Sequence, residues 1–158
     1  MNHGPLPSRL AFISDLPSLP QGTKVRFLGC VTSYTLSTGT LNLQHAYPPL
    51  PYRCATVHVD ANLLLENMKS TDTKIGEWVN VIGYIEWGAS KAQGAKNLEE
   101  GNGIRKRKPR AEDVVQQGVE VKVQAVMLWS AGAIKLGEYE KHLEDRKRIE
   151  LENAAEAK

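Results

Sequence analysis

A chain of 158 residues, 41% hydrophobic and 24% charged, has room for one domain with a real core and not for two. Its formal net charge of +2 provides no global basic field, so any nucleic-acid contact must come from a local cluster. Two cysteines, Cys30 and Cys54, fall far short of a disulfide-stapled scaffold, and no stretch approaches the ~20 apolar residues of a membrane span. With no apolar signal segment among the early prolines, the expected setting is reducing, cytoplasmic or nuclear, with both thiols free.

Residues 1–22 read as an N-terminal arm. Pro5, Pro7, Pro17 and Pro20 break regular structure, while Leu10, Phe12, Ile13 and Leu16 are apolar enough to pack along a barrel side. A first strand follows over Lys24–Leu36. Val25, Phe27 and Val31 share the parity of a core face, and Lys24, Arg26, Thr32 and Tyr34 take the other. Gly29 falls where the first strand of a small barrel bends to serve two sheets. Ser37-Thr38-Gly39 is a tight turn into a second strand, Thr40–His45, and a stiff proline-rich connection runs from Tyr47 to Pro51.

The third strand, Cys54–Asp60, points Ala55, Val57 and Val59 inward and Thr56, His58 and Asp60 outward. Asp60 is placed to cap a short helix over Ala61–Met68. In the fourth strand, Glu77–Trp87, the residues Val79, Val81, Ile85 and Trp87 share the core face. Trp78, Ile82 and Tyr84 make the opposite face apolar enough to need a cover. A loop from 88 to 118 carries the basic run Arg105, Lys106, Arg107, Lys108 and, after a proline, Arg110. The fifth strand is Val119–Trp129, and a charged helix spans Ile134 to about Asn153 with Leu136, Tyr139 and Leu143 as a narrow apolar stripe.

Five strands with a helix after the third make this a mainly β protein, a single five-stranded OB-fold barrel over 23–130 with a C-terminal helix and tail over 131–158. OB-folds bind single strands by combining cations with stacked aromatic rings. The DNA-contact candidates are therefore Arg26, Tyr34, Arg53, Tyr84 and the basic run 105–110, which also reads as a nuclear-import signal. The stripe on the last helix can cover its own barrel or meet a helix of a partner. The apolar outer face of the fourth strand favours a partner, with Leu136, Tyr139 and Leu143 as anchors and Arg146 at the edge. Cys54 and His58 share a strand face, yet no further ligand spacing supports zinc, and no cofactor motif or catalytic triad is present in the sequence. The expectation is a binding protein and not an enzyme.

Several segments carry a family likeness. They are the opening Pro5-Leu-Pro-Ser-Arg-Leu-Ala-Phe-Ile-Ser-Asp-Leu-Pro, Lys24-Val-Arg-Phe-Leu-Gly-Cys-Val, Glu77-Trp-Val-Asn-Val-Ile-Gly-Tyr-Ile-Glu, and Val123-Gln-Ala-Val-Met-Leu-Trp-Ser-Ala-Gly, with Leu136-Gly-Glu-Tyr139 in the helix behind them. Through them the chain resembles the Ten-one family, the small OB-fold subunit of the telomere-capping CST complex, in its filamentous-fungal form. The resemblance implies a heterodimer with the middle OB-fold subunit, built like the two smaller subunits of replication protein A, and a large third subunit completing a heterotrimer. It implies a nuclear, telomeric location and roles in single-stranded telomeric DNA binding, end protection and fill-in synthesis. Arg26 and Tyr139 become interface candidates, and the loop 89–118 departs from the family pattern. Two other readings compete: a pure scaffold subunit without nucleic-acid contact, and a free-standing binder of single-stranded DNA or RNA.

Overall fold

In a computed structural model of the chain, residues 4–50, 53–87 and 120–157 are described, with the side chains of Leu50, Arg53 and Trp87 excepted. Among these residues six strands follow one another: β1 (Arg9–Leu10), β2 (Lys24–Thr35), β3 (Thr40–Leu50), β4 (Arg53–Asp60), β5 (Trp78–Trp87) and β6 (Val121–Ser130). Among the described residues one α-helix follows the strands, α1 (Leu136–Glu156). The sheet order β1-β2-β3-β4-β6-β5 closes on itself because β2 also pairs with β5. Strands β2 to β6 therefore form the ring of an OB-fold barrel, which leaves none of them with an open edge.

One strand can serve two sheets only if it is long and bends. β2 pairs with β5 over Lys24–Cys30 and with β3 over Cys30–Thr35, so the change of partner falls just after Gly29. A Cβ at Gly29 would stand 2.8 Å from the Leu43 Cβ and 3.0 Å from the Ile13 Cδ1, leaving no room for a side chain. Gly83 has a similar cause. A Cβ there would come within 2.3 Å of the Gln124 carbonyl oxygen, at the point where the β5–β6 register shifts.

Alternation fills the barrel. Val25, Phe27, Val31, Leu41, Leu43, Val57, Val59, Val79, Val81, Ile85, Val121, Val123 and Ala125 are all buried in one cluster. Ile13 and Leu16 of the arm join it from outside the ring, so the arm packs along the barrel as expected. The arm is also more regular than its prolines suggest. β1 pairs in parallel with β2, and Ile13–Ser18 forms a 3₁₀ turn in which the Asp15 carboxylate accepts the Phe12 N–H at 3.0 Å.

Three features differ from the sequence reading. Residues Ala61–Met68 do not form an α-helix; 3₁₀ turns at Asn62–Leu64 and Ser70–Thr73 stand in its place. Ala61, Leu64 and Met68 still pack against the core from this segment, while Leu63 and Leu65 are exposed. The Asp60 carboxylate does accept the Asn62 N–H, at 3.0 Å. The second difference is that β3 runs on through the proline-rich connection to Leu50 instead of ending at His45, with a register shift between the two.

The third concerns Tyr34. Residue Val31 pairs with Leu43, but Ser33 pairs with Asn42 and Tyr34 with Leu41, so a bulge after Val31 reverses the parity of the strand end. Tyr34 consequently packs, half-buried, against the core. It is not the outward ring the alternation predicts.

Candidate partner and nucleic-acid interface

The outer surface of the ring carries two polar faces of different character. On β3 and β4, Asn42, Gln44, Thr56, His58 and Asp60 alternate with buried residues. They are tied into a network: Asn42 Nδ2 donates to Ser33 Oγ at 2.8 Å, Thr32 Oγ1 donates to the Asn42 carbonyl at 3.1 Å, and His58 Nδ1 contacts Asn42 Oδ1. Its charged neighbours are Glu120, 3.8 Å from His58 Nε2, and Lys122, 3.7 Å from Glu86. This is the face with which OB-folds ordinarily bind oligonucleotides. Among the described side chains it has no cation free of a carboxylate partner and no Phe, Tyr or Trp ring.

The second face is formed by β2, β5 and β6. Arg26 pairs with Ile82 and Lys24 with Tyr84, while Ile82 pairs with Met127 and Asn80 with Trp129. The Arg26 guanidinium lies over the Trp129 ring, 5.3 Å from its centroid, a contact worth about 0.5–1 kcal/mol at an exposed site. Met127 is 55% exposed and Tyr84 38% exposed, so an apolar strip stays open toward one end of this face. At the other end Leu28 is buried, and the Tyr139 phenol of α1 stands close enough for the Leu28 backbone to act on its hydroxyl. Burial pushes the Tyr139 hydroxyl above its ordinary range, against smaller opposing effects of Arg26 and Leu28.

The first half of α1 is fastened to the barrel. Leu143 is only 2% exposed although the chain stands alone. His45 Nε2 meets Glu140 Oε1 at 2.8 Å, the Tyr47 hydroxyl donates to Glu144, and Lys147 Nζ donates to Asp15 Oδ1 at 2.8 Å. Glu140, Glu144 and Lys147 stand at i, i+4 and i+7, one face of the helix. Beneath them lies an aromatic group in which Phe12 contacts Tyr47 at 4.7 Å between centroids and His45 at 5.8 Å. His45 in turn packs edge-on against Trp78 at 5.4 Å. The His45 Nδ1 and Tyr139 hydroxyl atoms are buried without a hydrogen-bond partner among the described residues.

The expected site residues are thus divided. Arg26 and Tyr84 share the β2–β5 face, and Arg26 stands near enough to Tyr139 to influence its hydroxyl. Tyr34 is turned inward. Arg53 begins β4, opposite Leu50 and away from that face, and its side chain is not described. The basic run 105–110 lies outside the described residues. Of the helix residues, Leu136 and Tyr139 are half-buried, Leu143 is spent on the chain's own barrel, and Arg146 is exposed and pairs with Glu150 at 3.3 Å. Sequence reasoning missed Asp15, His45, Glu140, Glu144 and Lys147, and had Tyr47 only as a ring flanking the proline-rich connector. Their contacts join positions 95 to 132 residues apart, and no local pattern announces them.

Cys54 is exposed and Cys30 half-buried, and both are free. Among the described residues no three His, Cys, Asp or Glu side chains gather as metal ligands.

These features define a class: an OB-fold barrel with a docked C-terminal helix and an apolar side face. A family model for Ten1, described as telomere capping, CST complex subunit, matches residues 1–144. The chain belongs to that family, a non-enzymatic telomere-capping subunit, and a capping family implies a nuclear, telomeric location. Among solved structures, the S. pombe Stn1–Ten1 complex matches with 21% identity and a TM-score of 0.58, over 92% of this chain and 96% of that one. The S. pombe telomere-capping protein Ten1 matches with 22% identity and a TM-score of 0.57, over 90% and 99% respectively. No curated protein sequence matches.

Proposed function

We propose that this chain works by heterodimerising with a Stn1-type OB-fold subunit, using the β2–β5–β6 face and the exposed side of α1. The observation that carries the reading is the open apolar strip. Met127 and Tyr84 are exposed together with a half-buried Ile82 between them in the strand register, beside the Arg26–Trp129 pair. Contiguous exposed apolar surface of this kind marks an interaction site. That a solved Ten1 of the same fold comes from a complex with Stn1 supports the choice of partner. In this reading a third, large subunit completes the assembly, which protects telomeric single strands and supports fill-in synthesis.

Contact with single-stranded DNA by this chain is secondary in the same proposal. The β3–β4 face is neutral to acidic in its described side chains, so DNA contact falls to Arg53 and the basic run 105–110. Reversing the charges of that run weakens DNA binding by the complex and flattens its salt dependence by about 0.7 per lost phosphate contact, while the dimer stays intact. An unchanged salt slope removes the run from the DNA site and leaves the pure scaffold reading.

The experiment for the heterodimer is mixing with the recombinant Stn1 subunit of the same source and measuring mass by light scattering. A 1:1 complex that Met127→Glu abolishes supports the reading. A chain that remains monomeric in the mixture overturns it.

A further inference from the structure

We infer that the N-terminal arm positions α1 for the partner, with Asp15 as the positioning residue and Lys147 as its counterpart on the helix. The inference rests on the proposed heterodimer, in which α1 is part of the contact surface.

Three observations carry it. Asp15 faces two ways: one carboxylate oxygen accepts the Phe12 N–H at 3.0 Å and the other accepts Lys147 Nζ at 2.8 Å. The same Lys147 ammonium stands 5.4 Å from the centroid of the Phe12 ring, so the lysine is held by a charge and by an aromatic face of one arm segment. Phe12 itself is only 2% exposed and is wedged against His45 and Tyr47, the two β3 residues that hold Glu140 and Glu144. Arm, β3 and helix thus form one connected fastening, and the arm supplies its last point along α1.

The position of that point matters. Tyr139, Glu140, Leu143 and Glu144 fix the first two turns of α1, but a helix held at one end still pivots. Lys147 is the final residue of α1 with a hydrogen bond or ion pair to the barrel or arm among the described residues, and beyond it the helix continues to Glu156 with Ile149 and Leu151 exposed. At 1.5 Å per residue those last nine residues project about 14 Å past the anchor. A small change of angle at Lys147 is therefore amplified along the exposed side of α1 that the proposed heterodimer uses. A helix this rich in charge is marginal alone and fluctuates when an anchor is lost, so the partner must then supply the ordering cost.

The test is a charge reversal and a conservative replacement at Lys147 in the full chain, with the Stn1 subunit as binding probe. Lys147→Glu leaves the Asp15–Phe12 contact in place and is expected to weaken partner affinity about tenfold, while Lys147→Arg, which keeps a cation for both the Asp15 carboxylate and the Phe12 ring, stays within about threefold of the parent. Amide hydrogen exchange of α1 follows the same order, rising in Lys147→Glu and staying near the parent in Lys147→Arg, with β2 and β5 unchanged. A purely structural role would raise exchange in the barrel as well. If the parent chain binds Stn1 and Lys147→Glu binds equally well, the positioning role is overturned alone. If the parent does not bind, the heterodimer reading fails and takes this one with it.

Discussion

Leu143→Ala probes how α1 is held. The side chain is 2% exposed on a helix whose remaining anchors are Tyr139 and three polar contacts. Leu143 does not belong to the main barrel cluster, so its loss opens a gap between helix and barrel and leaves the barrel interior intact. Large-to-small changes at buried leucines cost about 2–5 kcal/mol, and a site beneath a surface helix that can settle falls at the low end, about 2.5 kcal/mol. That energy is lost by the docked state of α1 and not by the barrel. The free energy of local opening falls by the same amount, which corresponds to about a 70-fold drop in hydrogen-exchange protection. The assay is native-state amide exchange followed by fragment mass analysis. Protection in 139–147 should collapse by that factor while β2, β5 and β6 keep theirs. A uniform loss across α1 and the barrel refutes the reasoning, because it makes α1 part of one cooperative unit with the core. No loss at all refutes the docking itself.

Other outcomes are expected from the same geometry. Gly29→Ala places a Cβ 2.8 Å from Leu43, which must be relieved by moving packed side chains, and costs about 1–3 kcal/mol in a urea titration. Cys54, exposed, reacts at least about tenfold faster with a water-soluble thiol reagent than Cys30, whose thiol is raised chiefly by burial and also by the nearby Cys54 and Glu77; equal rates would contradict the placement of Cys30. Tyr47 ionises late, its hydroxyl pushed up to about 12 mainly by the hydrogen bond to Glu144. Because the folded value is the higher one, its contribution is complete below the unfolded tyrosine range near 10 and is lost as pH rises through about 12. Tyr47→Phe should delete one late-titrating phenol from the ultraviolet titration, and deletion of an ordinary phenol instead would break the Tyr47–Glu144 assignment.

The strands were legible because each buries one side: the parity of Val25 and Phe27, of Val57 and Val59, and of Val79 and Val81 is the parity the barrel uses. Gly29 was legible for the same reason, as a residue without Cβ at a required bend. Tyr34 was not, since a single bulged residue after Val31 reverses everything beyond it and leaves no mark in the composition. The stripe Leu136-Tyr139-Leu143 was visible as a stripe, but amphipathicity says that a face is covered and not by what. Tertiary packing assigned Leu143 to the chain's own barrel. The arm–helix fastening was invisible because Asp15 and Lys147 are ordinary surface residues until the fold sets them 2.8 Å apart.

The heterodimer meets its most direct test in hydrogen exchange on the chain with and without saturating Stn1 subunit, resolved by segment. New protection at 80–84, 125–129 and along α1, with 40–45 and 54–59 unchanged, is the expected footprint. Protection confined to the β3–β4 face, or none anywhere, would contradict the assignment of the apolar side of the barrel to the partner.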